Sequence, residues 1–192
     1  MSQSNYNTFS TMPYIPYKIV MALIDNDNLF KLLYYPTKDA LSQPNLTFEQ
    51  KVNMIWNGED RTDDYTIFLT NIQPNLETIS RPILKIYRYD TLPKTYTTAV
   101  ISYEFDILFG TKIPLVDFNG VPCNRGDLIE MELMKSLNGQ DVAGAGYLQY
   151  NHQLSTLDRS RVGIGNNSTF TGYYFIMSTI YTDSGRIDGC AQ

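Results

Sequence analysis

The sequence predicts an α+β fold: an antiparallel β-sheet with a long hairpin, flanked by two to three helices, with an extended N-terminal arm. Three observations carry this. Apolar residues recur at roughly helical spacing between residues 18 and 57. From residue 65 onward the period changes to two, in β-branched and aromatic runs separated by turn residues. No internal repeat or linker-like stretch divides the 192 residues, a length that suits one domain.

Residues 1–17 contain two prolines with Tyr6, Tyr14 and Tyr17, and read as an extended arm because Pro13 and Pro16 oppose a regular helix. Residues 18–192 form the domain. Ile19, Val20, Leu23, Ile24, Phe30, Leu33 and Tyr34 give the first helical pattern. Asp25-Asn26-Asp27-Asn28 interrupts it as either a solvated face or a turn between two short helices, and Pro36 stops it. Thr47-Phe48-Glu49-Gln50 has the spacing of a capping box, in which the Thr47 hydroxyl and the Gln50 side chain each satisfy the other's backbone N–H. The helix it opens would turn Phe48, Val52, Ile55 and Trp56 inward and end near Asn57-Gly58.

Tyr65 to Thr70 alternates with period two, Ile83 to Tyr89 is β-branched and aromatic, and Asp90 to Lys94 reads as a turn. In the next run Ile101, Tyr103, Phe105 and Ile107 point one way and Ser102, Glu104 and Asp106 the other, which predicts one buried face and one wet face. A strand from Thr95 to Phe109 would span roughly 50 Å, so the hairpin is expected to project from the domain or add to a neighbour. Asn124 to Asp127 starts a helix that uses Leu128, Ile129, Leu133, Met134 and Leu137 and stops at Asn138-Gly139. A short strand near Gly146 to Tyr150 and a polar loop, Asn151 to Thr169, precede the last strand, Phe170 to Tyr181. That strand is apolar on both faces, as expected of one that is central or covered by a partner.

Hydrophobic residues at 43% are too abundant for disorder, and no apolar run approaches 18 residues, so neither a membrane-spanning helix nor a membrane partner is expected. Residues 1–12 lack the basic start and apolar core of a secretory signal. Cys123 and Cys190 are too few for a disulfide framework or a zinc site and read as reduced thiols. A net charge of −5, with no basic patch, argues against a nucleic-acid coat.

Candidate chemistry thins out when each motif is tested. His152 has Ser155 nearby, but no Gly-x-Ser-x-Gly elbow holds a nucleophile. The Asp25 to Asn28 run starts like a calcium loop, then places Phe30 where glycine is required and Pro36 where the bidentate Glu belongs. Gly144-Ala145-Gly146 and Gly163-Ile164-Gly165 lack a third glycine and a following Lys, so they read as turns. The Asn45 and Asn167 acceptor triplets match glycosylation sites by chance, with no signal peptide. Two acidic clusters, Glu59, Asp60, Asp63 and Asp64, and Asp127, Glu130 and Glu132, read as solvated faces rather than a metal-dependent nuclease site. No catalytic, cofactor-binding or metal site is therefore expected, and the chain reads as a non-enzyme. Its Tyr-rich strands, arm and polar loop instead suit contacts with partners. The residues expected there are Tyr6, Tyr14, Tyr17, Tyr89, Tyr96, Arg159, Arg161, Asn166, Asn167 and Phe170.

The element order supplies a resemblance. A helical region is followed by three antiparallel strands ending in Ala99-Val100-Ile101-Ser102-Tyr103-Glu104-Phe105-Asp106-Ile107-Leu108, then a helix from Arg125 to Gly139 and a strand around Phe170-Thr171-Gly172-Tyr173-Tyr174. Over residues 60–181 this resembles the neck proteins of tailed bacteriophages, the head-completion and tail-terminator group. The Ile- and Asn-rich composition fits a low-GC, crAss-like phage. The resemblance implies a structural virion protein, assembled in the host cytoplasm into a cyclic homo-oligomer of six or twelve copies around the DNA channel. Portal, other neck-ring and tail proteins would be its partners. An acidic channel would let DNA pass without specific binding. The rival readings are a carbohydrate- or protein-binding module of a tail appendage, with the Tyr-rich strands and the 151–169 loop as its site, and a metal-dependent nuclease.

Overall fold

The longest strands run through the middle of the sheet. The computed structural model describes residues 12–59, 65–71, 81–95, 98–110, 115–142, 145–155 and 170–182. In chain order the helices are α1 (Ile15–Ala22), α2 (Asp27–Tyr34), α3 (Phe48–Val52), α4 (Arg125–Leu137) and α5 (His152–Ser155). The strands are β1 (Ile67–Phe68), β2 (Ile83–Pro93), β3 (Thr98–Gly110), β4 (Leu115–Phe118), β5 (Val121–Asn124), β6 (Asp141–Val142), β7 (Gly146–Tyr147), β8 (Gln149–Tyr150) and β9 (Phe170–Thr182). The main sheet has the order β1-β2-β3-β9-β8; β4-β5 and β6-β7 are separate two-stranded pairs. This is the α+β, antiparallel-dominated architecture read from the sequence.

Several expectations are corrected. Residues 12–17 are not extended: Met12–Tyr14 form a 3-10 turn and α1 begins at Ile15. Pro16 lies in the first turn, where a missing N–H costs nothing because that donor has no intrahelical acceptor. Residues 1–11 of the expected arm lie outside the described residues. The Asp25 to Asn28 break is a turn. Asn26 caps α2 by accepting from Leu29 N at 3.0 Å, and its amide reaches Ser136 Oγ on α4 at 2.8 Å.

The capping box forms as read, with Gln50 N to Thr47 Oγ1 at 3.2 Å and Thr47 N to Gln50 Oε1 at 2.8 Å. The helix stops five residues later, and Phe48 is 62% exposed rather than inward. The chain leaves the helix because the backbone of Met54 to Trp56 pairs with the sheet edge instead. Met54 O accepts from Thr66 N and Ile67 N, and Trp56 N donates to Ile67 O. Buried Lys51 docks α3 on the α1–α2 turn through Ile24 O at 2.7 Å and Asp27 Oδ1 at 2.6 Å.

The Tyr65 to Thr70 run contributes only the two residues of β1, and they pair parallel to β2, so the three strands of the resemblance are not all antiparallel. Asp90 to Lys94 is no turn: β2 continues to Pro93, and the reversal comes where Lys94 N and Thr95 N donate to Thr98 O. A pairing shift between Arg88 and Asp90 leaves Tyr89 as the extra residue of a bulge.

The long hairpin neither projects nor waits for a neighbour. Thirteen residues of β3 pair in unbroken register with thirteen of β9, from Thr98 opposite Thr182 to Gly110 opposite Phe170, while β2 covers the other side. The expected wet face is buried as well, since Ser102, Glu104 and Asp106 are 5%, 2% and 4% exposed. Part of their polarity is met across the strands. Lys85 stands opposite Asp106, Tyr87 OH donates to Asp106 Oδ2 at 3.2 Å, and Ser102 Oγ meets Ser178 Oγ at 2.8 Å.

On the other face Ile101, Tyr103, Phe105 and Ile107 join α1, α2 and α4 in the main core, with Leu29, Leu33, Ile129 and Leu133. The Tyr103 hydroxyl is buried there with no hydrogen-bond partner among the described residues, and burial pushes its pKa well above the ordinary tyrosine range. Tyr103→Phe removes that unmet group while keeping the ring. Urea unfolding is expected to show a gain of about 1 kcal/mol, and a loss of stability would show that the hydroxyl is satisfied in solution.

One pair of strands escaped the sequence reading altogether. β4 and β5 form a hairpin whose turn is Asn119-Gly120, both at positive φ (56° and 81°). The Asn-Gly dipeptide between apolar residues is the signal that should have found it.

Candidate functional site

Of the ten residues expected at a partner surface, three have described side chains. Tyr14 is 64% exposed, Tyr89 50% and Tyr17 44%. Arg88 Nη1 donates to Met12 Sδ at 3.3 Å, which ties the start of the helical region to β2. β1 flanks β2 only at Leu84 and Lys85, so on the edge away from β3 no described strand covers β2 from Arg88 onward. Leu92 on the same strand is 51% exposed. Phe170 opens β9, but its side chain is not described; Tyr6, Tyr96, Arg159, Arg161, Asn166 and Asn167 lie outside the described residues.

His152 and Ser155 sit on the four residues of α5, and they do not form a nucleophile–base pair. His152 is exposed and edge-on to Tyr150. Ser155 is fully buried and stitches α5 to β9: its Oγ lies 2.7 Å from Asn151 O and accepts from Ile176 N at 3.0 Å. The polar loop thus begins as a helix, and residues 156–169 fall outside the described set. In the acidic clusters, Asp60, Asp63 and Asp64 also fall outside it. Glu59 accepts from Tyr65 OH and the Asn57 amide. Glu132 is buried and paired with Lys135 at 3.0 Å, away from exposed Asp127 on the same helix. Among the described residues no group of three His, Cys, Asp or Glu could hold a metal ion, and no helix is long and apolar enough to cross a membrane. Cys123 is a free thiol.

Two concavities among the described residues are large enough to hold a small ligand. A cleft of about 410 Å³ lies between α1 and the β1 edge, lined by Tyr17, Trp56 and Tyr65 with Asn53 and Asn57. A larger pocket of about 560 Å³ opens between the β7–β8 segment and the outer end of β9. Its floor is formed by Val100, Ser178 and Ile180, and its wall by Tyr147, Gln149 and His152. Local structure fixes that wall. Gly139 N donates to Leu148 O at 2.7 Å and Tyr150 N donates to Asn138 Oδ1 at 3.0 Å, so the segment is held on the end of α4. Gly146, at φ 83°, lets the chain approach β9; a side chain there would meet Ile180 O and Thr179 Oγ1 at 3.1 Å. The sequence reading missed this pocket, although Tyr147 to Gln153 forms an aromatic and amide-rich run without a charged residue.

Residues 26–179 match the model of a protein family described as YomW. No curated protein and no solved structure matches the chain.

Proposed function

As this chain belongs to the YomW family, a family of bacteriophage association, we propose that it is a structural virion protein. In this reading it forms an oligomeric ring in the phage neck, joining portal and head to tail around the DNA channel. The observation that carries it is the open side of β2. There the edge of β2 away from β3 has no described strand beside it from Arg88 onward, Tyr89 and Leu92 on that strand are exposed, and Tyr14 is exposed in the turn whose Met12 is bonded by Arg88. Tyr and Leu side chains bury large area with little charge to desolvate, the composition of an interface core. The net charge of −5 suits a channel that repels phosphate rather than gripping it.

The reading rests less on the long hairpin than the sequence implied, because β3 and β9 complete each other inside one subunit. Contacts between subunits then fall to the β2 side, with portal, other neck rings and tail proteins above and below. Imaging of the phage particle tests the assignment: six or twelve copies in a ring between head and tail are expected, and density anywhere else overturns it. Tyr89→Asp is expected to weaken self-association by about tenfold or more, read by light scattering across a dilution series. Unchanged association would remove β2 from the interface.

A further inference from the structure

The pocket between β7–β8 and β9 has a lining that selects for chemistry as well as shape. At about 560 Å³ it is within the range of small-ligand sites. Among the described residues no Asp, Glu, Lys or Arg lines it. A charged ligand entering it would lose water without meeting a counter-charge, which is costly.

What the pocket does offer is of two kinds. Tyr147 and Ile180 are 64% and 66% exposed and present an aromatic ring and a branched aliphatic chain to solvent. Ser178 and Gln149 are register partners on β9 and β8, so their side chains share the face of the sheet that forms the floor. Ser178 Oγ belongs to a chain of hydrogen bonds with Ser102 Oγ at 2.8 Å and Asn151 Nδ2 at 2.9 Å, which fixes its position. Gln149 and His152 are exposed on the wall and add an amide and an imidazole, side chains that carry hydrogen-bonding nitrogen and oxygen atoms. A ligand satisfying all of this has an apolar C–H face for Tyr147 and Ile180, hydroxyl edges for Gln149, His152 and Ser178, and no net charge. That is the chemistry of a neutral saccharide unit.

We propose that this pocket binds an uncharged carbohydrate of one or two sugar units, stacked on Tyr147 and hydrogen-bonded by Gln149. The inference goes beyond the ring reading and rests on the pocket alone. Gly146 and the attachment of Leu148 to the end of α4 pre-form the backbone that carries Tyr147, so that segment needs no ordering on binding.

The test is a glycan array carrying neutral and acidic sugars, probed with the full chain and followed by calorimetric titration of the best neutral glycan. Binding to neutral glycans is expected. Tyr147→Ala should weaken it by roughly tenfold and Tyr147→Phe, which keeps the stacking face, should restore it. Gln149→Ala should weaken it without changing the unfolding midpoint, since both residues are exposed. No binding on the array, binding confined to acidic glycans, or equal affinity for Tyr147→Ala and the parent would each overturn the proposal. None of these results depends on whether the chain forms a ring, so the two readings fail separately.

Discussion

Arg125→Met is expected to lower the free energy of unfolding by about 3–5 kcal/mol, because three backbone carbonyls would lose their partner at once. The Arg125 guanidinium is fully buried at the start of α4. Its Nη1 donates to Leu32 O at 2.7 Å and Tyr35 O at 2.9 Å, and its Nη2 to Thr37 O at 2.6 Å. These carbonyls lie in the last turn of α2 and just beyond it, where no helical N–H can reach them and where the helix dipole favours a cation. Burial pulls the guanidinium down to about 10, which leaves it charged at neutral pH. Because that pKa is depressed, burying the charge is itself unfavourable, and the three bonds must offset the loss of water. Arg125→Lys keeps a charge but replaces a planar fork with a point donor, so it should recover part of the loss. Urea unfolding followed by circular dichroism gives both values. A cost below about 1 kcal/mol for the Met variant would mean that the three carbonyls find other donors.

Phe105→Ala should cost a similar amount, about 3–5 kcal/mol, for a different reason. Phe105 is fully buried on the helix-facing side of β3, and its ring stacks on that of Phe175, its register partner on β9, with centroids 4.8 Å apart and planes at 5°. Truncation opens a cavity in the centre of the core, and the long paired strands on either side limit collapse into it. Phe175→Ala and the double variant complete a cycle whose coupling should be about 0.5–1.5 kcal/mol. Additive losses would show that the two rings only fill volume.

How far the sequence carried the fold can be seen in those same strands. The alternation of Ile101 to Ile107 located β3 and its core face, and the Thr47 and Asn124 caps located two helix starts, because each signal is local. What failed depended on distant pairing. Ser102, Glu104 and Asp106 read as solvated because their partners, Ser178, Tyr87 and Lys85, are remote in sequence. Phe48 read as core because helical periodicity was extended past Val52, where bonding to residues 66 and 67 takes over the backbone. Pro16 was given a helix-breaking role that it lacks in a first turn. Of the residues read as a partner surface, Tyr14, Tyr17 and Tyr89 are exposed. The pocket was not, since Val100, Gln149 and Ile180 meet only through sheet order.

The central position of β3 also sets an order of events during folding. Its partner β9 lies some sixty residues further along the chain, and the β2–β3 hairpin can form long before β9 exists. Until then Phe105, Ile107 and Tyr103 have lost one side of their cover, and a hydrophobic strand edge faces whatever else is near. Closing so large a loop is slow compared with forming the helices. The nascent chain therefore carries an adhesive edge from the completion of β3 until β9 has been made, and that interval is its window for aggregation.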